Sequence, residues 1–67
     1  MKIKVNDKML ERFLTIMDDY GEFVFGDDDY LKKQLETCLN FQGYWSGSSI
    51  RVYYNKETKD FSVEEKY

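Results

Sequence analysis

Histidine is absent from this 67-residue chain. Its absence removes the commonest general base, the Ser-His and Cys-His nucleophile pairs, and the usual zinc and iron ligand sets. Cysteine occurs once, as Cys38, so no internal disulfide can form and a reducing compartment suits the chain. Long apolar runs are missing too: nothing approaches the ~20 residues of a membrane span. The opening residues 1–7, MKIKVND, lack the apolar core of a signal peptide. We therefore expect a soluble cytoplasmic protein, whether of a cell or of a virus inside one. Basic residues are missing where the acidic ones gather. Residues 18–30 hold six carboxylates and no Lys or Arg, whereas residues 1–17 carry +2 and residues 31–67 carry +1.

What remains is rich in rings: five Phe, six Tyr and one Trp. A chain this short forms one domain, residues 1–67, and buries only roughly 60% of its unfolded surface, so large side chains are an economical core material. Two or three rings are expected to be left over at the surface.

Periodicity divides the chain. Ile3 and Val5 alternate with Lys2 and Lys4 as a short strand with one apolar face. Asn6 or Asp7 then caps a helix on which Met9, Leu10, Phe13, Leu14, Ile16, Met17 and Tyr20 recur at three- and four-residue steps, and Gly21 stops it. Residues 22–25, EFVF, are too short for a helix and read as an extended connector or short strand. Asp27 or Asp28 caps a second helix to about Asn40, with Leu31, Leu35, Cys38 and Leu39 inward. Residues 44–49, YWSGSS, read as a loop. Ile50, Val52 and Tyr54 form a strand that returns through a polar turn to Phe61 and Val63, and the tail EEKY frays. The order is β-α-(β)-α-β-β, an α+β fold with two amphipathic helices on a small antiparallel or mixed sheet. Phe13, Leu14, Met17, Leu35, Leu39, Ile50, Val52 and Phe61 are the expected core.

The pattern offers little chemistry. Cys38 lies on an apolar stripe, where a thiol behaves as a small hydrophobe. Ser46, Ser48 and Ser49 lack both the strand-to-helix elbow of a hydrolase and the lysine of a phosphate loop. Asp27, Asp28 and Asp29 are consecutive and point in different directions, unlike the alternating ligands of a calcium loop. Catalysis, a cofactor and a metal site are accordingly not expected.

The carboxylates point to docking instead. Asp27, Asp28 and Asp29 suit a helix start, where the dipole favours anions, but Asp18 and Asp19 stand at a helix end, where it opposes them. With Glu22 they are expected to form one acidic rim. Tyr44 and Trp45 lie between glycines, and Tyr53 alternates away from the core beside Arg51; Trp, Tyr and Arg are common interface anchors. The candidate partner-binding set is thus Asp18, Asp19, Glu22, Asp27, Asp28, Asp29, Tyr44, Trp45 and Tyr53. As a compositional class, small acidic histidine-free domains resemble inhibitors encoded by viruses and mobile elements, such as anti-CRISPR proteins and DNA mimics. The reading is a non-enzymatic binder that docks on a basic, nucleic-acid-binding surface of another protein and inhibits it. One alternative is an assembly module, a homodimer joined through a strand edge or Tyr44-Trp45. Another is a single-stranded nucleic-acid binder stacking bases on Tyr53 and Trp45.

Overall fold

A computed structural model describes residues 2–67, in the order α1 (Asp7–Asp19), α2 (Asp28–Phe41), β1 (Tyr44–Ser46), β2 (Ile50–Asn55) and β3 (Asp60–Glu65). The strands form an antiparallel meander in the order β1-β2-β3. The class is α+β, as the sequence indicates, but the order is α-α-β-β-β.

The expected strand at Ile3 and Val5 is not there. The residues around Ile3 and Val5 find partners on a helix rather than on a sheet. The Ile3 amide donates to Asn40 Oδ1 at 2.7 Å, Asn40 Nδ2 donates back to the Ile3 carbonyl at 2.7 Å, and the Val5 amide donates to Glu36 Oε2 at 3.0 Å. Side chains of α2 thus stand in for a neighbouring strand, and Val5 still enters the core. Of the two readings of residues 22–25, the extended connector holds and the short strand does not: the segment pairs with no strand. Conversely, Tyr44–Ser46 is strand rather than loop, because Gln42 and Gly43 turn the chain back against β2, pairing Tyr44 with Tyr53 and Trp45 with Val52. The tail is also tied: β3 reaches Glu65, and the Lys66 amide donates to the Ser49 carbonyl at 2.9 Å.

Local chemistry explains the helices. Asn6 Oδ1 accepts from the Met9 amide at 2.9 Å to open α1, and Asp27 Oδ1 accepts from the Tyr30 amide at 2.8 Å to open α2. At the close of α1, Gly21 takes φ 68°, the left-handed conformation that glycine adopts most readily. Its amide donates to the Asp18 carbonyl and the Glu22 amide to the Met17 carbonyl, a paired closure that satisfies two orphan acceptors.

Both helices cover one face of the sheet. The core gathers Val5, Leu10, Phe13, Ile16, Met17, Leu31, Leu35, Leu39, Ile50, Val52 and Phe61, with Leu14 half-buried against it rather than fully inside. Phe13 is its hub, meeting Trp45 edge-on at 5.1 Å between centroids and Phe61 at 6.2 Å. The other sheet face carries Tyr44, Arg51, Tyr53 and Glu64 by strand alternation.

Candidate docking surface

The connector between α1 and α2 exposes two large rings close together in the chain. Val24 packs against the core, which turns its neighbours outward: Phe23 is 84% exposed and Phe25 is 81% exposed. Tyr30 and Tyr20 nearby are also exposed. Asp18 and Asp19 precede these rings, and Asp27 and Asp28 follow them. Among the described residues no Lys or Arg nitrogen lies within 4 Å of any of those four carboxylates. The connector thus presents two large rings between unneutralised anions.

Not all six carboxylates share that setting. Glu22 turns inward to the β1–β2 turn: its Oε1 accepts from the Ser48 amide at 2.8 Å, and its Oε2 accepts from Ser48 Oγ at 2.6 Å and Ser49 Oγ at 3.1 Å. These donors, Ser48 Oγ foremost, hold the Glu22 carboxyl below its ordinary range. Glu22 is therefore a latch that fixes the connector on the sheet. Asp29 faces elsewhere, 3.6 Å from Lys32 Nζ, which also meets Asp7 at 2.7 Å. Asp29 hence sits by the opening of α1, while Asp18 and Asp19 stand at its close, about 17 Å away along the helix axis. Asp27 caps α2. The chain places Asp18 and Asp19 before the connector, at the close of α1, and Asp27 and Asp28 after it, beside Asp29 and so toward the opening of α1, while Glu22 and Asp29 turn to the β1–β2 turn and to Lys32.

The three aromatic candidates divide as well. Trp45 is half-buried and lies edge-on to Phe13, a closing piece of the core. Tyr44 and Tyr53 pair across strands at 5.5 Å on the opposite sheet face, where the Arg51 guanidinium stacks over Tyr44 at 5.6 Å. Arg51 also donates to Glu64 Oε1 at 3.0 Å, so its charge is already matched. Cys38 is half-buried on α2, and burial pushes its thiol up, away from the reactive thiolate.

Phe23 and Phe25 were not candidates in the sequence. A signal was present: three consecutive apolar residues in an extended segment cannot all face one core, and two of them share a side. Among the described residues no three His, Cys, Asp or Glu side chains converge as metal ligands would. No described helix is long and apolar enough to cross a membrane. Comparison with protein-family models, curated proteins and solved structures gives no match for this chain.

Proposed function

We propose that the chain is a non-enzymatic binding protein, working in the cytoplasm, whose connector end docks on a basic, nucleic-acid-binding surface of another protein and blocks it. The observation that carries this reading is the pair Phe23 and Phe25, 84% and 81% exposed, flanked in the chain by Asp18, Asp19, Asp27 and Asp28, none of which has a Lys or Arg nitrogen within 4 Å among the described residues. Aromatic anchors inside a polar rim are common in protein interfaces, and the carboxylates would compete with phosphates for the same Lys and Arg side chains. The Glu22 latch supports it too, since a held connector loses less freedom on binding. The lack of histidine supports action by occlusion rather than by chemistry.

The test is affinity capture from cell extract with the wild type, with Asp18→Asn/Asp19→Asn, and with Phe23→Ser/Phe25→Ser. The reading expects a nucleic-acid-binding protein retained by the wild type and released by both variants. Titrating the chain into that protein's complex with labelled nucleic acid should then displace the label. Equal retention by all three proteins, or retention without displacement, contradicts it.

A further inference from the structure

At the other end of the sheet from the connector lies a groove of opposite charge. Two hollows, of about 400 Å³ and about 200 Å³, share Met9, Tyr54 and Lys59 and run together between the start of α1 and the β2–β3 turn. Lys2, Lys4 and Lys8 line them with Lys59, and no carboxylate among the described residues lies within 4 Å of these four ammonium groups. The floor is apolar, formed by Met9 and the half-buried Tyr54. Arg12 belongs to the wall but is matched by Asp60 at 3.1 Å.

We infer that the occupant of this groove is a second copy of this chain, whose connector end docks there. Four unmatched cations surround the apolar floor at one end; at the other, the unmatched Asp18 and Asp19 lead into the connector with its two exposed rings. Charge and apolar character are complementary in both respects. The two ends cannot meet within one molecule. The Glu22 latch holds the connector at the β1–β2 turn, and the groove lies at the β2–β3 turn, separated by the length of β2, roughly 17–20 Å. The contact is therefore head-to-tail, using different surfaces on the two copies, and it propagates into a chain or closes as a ring. Self-association on the free β3 edge is disfavoured by comparison, because Asp60, Glu64 and Glu65 would face their own copies. This inference rests on the connector end being a docking surface and adds a regulation: copies bound to each other mask the end a foreign partner would use.

Sedimentation velocity on the purified protein tests it. At ~0.01 M salt, with a Debye length near 30 Å, the wild type should grow heavier with concentration; at ~1 M salt, with a Debye length near 3 Å, it should return to monomer. Phe23→Ser/Phe25→Ser keeps the groove and loses the anchors; Lys8→Glu/Lys59→Glu keeps the connector and reverses the groove. Each should be monomeric alone, and an equimolar mixture should form a one-to-one dimer that grows no further. Circular dichroism checks folding, and Lys8→Gln/Lys59→Gln replaces the glutamate pair if that variant melts early. A wild type monomeric throughout, a mixture sedimenting as two monomers, or either variant associating alone overturns the inference. The groove variant retains its connector, so foreign-partner capture by it that persists when self-association fails leaves the proposed function standing and removes only this step.

Discussion

Glu22 does more than any other charged residue to position the connector, accepting from three donors of the β1–β2 turn. Because those donors depress its pKa below the ordinary 4.5, the stability they confer is complete above that value and is lost as the pH falls through the lower, folded-state pKa. Glu22→Gln should therefore cost about 1–2 kcal/mol at pH 7 and lose less stability than the wild type between pH 5 and acid unfolding, roughly the range of a carboxylate titration. Urea melts across that pH range check it; identical pH profiles would show that the latch carries no proton linkage. Gly47 allows the same contact by lacking a side chain, since a Cβ there would run into the Glu22 carboxylate and the Trp45 ring. Gly47→Ala is expected to destabilise by about 1–3 kcal/mol, read in the same melts.

At the scale of elements, side chains rather than strand pairing hold the N-terminal segment. Asn40→Ala removes both bonds to Ile3 and should cost about 1–2 kcal/mol while speeding hydrogen exchange at the Ile3 amide. Unchanged exchange there would show that Val5 burial alone anchors the segment. The α1 and α2 spans were legible because caps, apolar stripe and the Gly21 stop agree at every position. Ile3 and Val5 were misread because alternation reports which side chains turn inward, and not whether the backbone pairs with a strand. Tyr44–Ser46 was misread because small residues after it look like loop, whereas pairing with β2 depends on a return that only tertiary packing supplies. The seven expected core residues that prove buried, from Phe13 to Phe61, follow directly from period. Phe13→Ala, which empties the space between Trp45 and Phe61, should cost about 3–5 kcal/mol, comparable with the total stability of so small a domain. A cooperative, little-changed thermal melt would contradict the hub role.

For the whole molecule, the candidate surface was only half legible. The carboxylates announced themselves by number, but their directions did not: Asp29 turns to Lys32 and Glu22 to Ser48, choices made by tertiary neighbours far away in sequence. Surface rings were expected, but composition does not say which ones, and Phe23 and Phe25 are turned out by the inward Val24 between them. The resulting molecule holds Asp18, Asp19 and the latched start of the connector at the β1–β2 turn, apart from the lysines that line the groove at the β2–β3 turn. The central claim is that the connector end exists for docking, and Asp18 and Asp19 test it because local physics opposes them. They close α1 with no basic residue in its last turn, so Asp18→Asn/Asp19→Asn should raise stability by a few tenths to about 1 kcal/mol. The decisive measurement is the association rate of this double variant with the captured partner, taken beside its thermal melt over a salt series. The account predicts a higher melting temperature together with slower association and a shallower salt dependence than the wild type. Equal rates and equal salt slopes in the two proteins would contradict it.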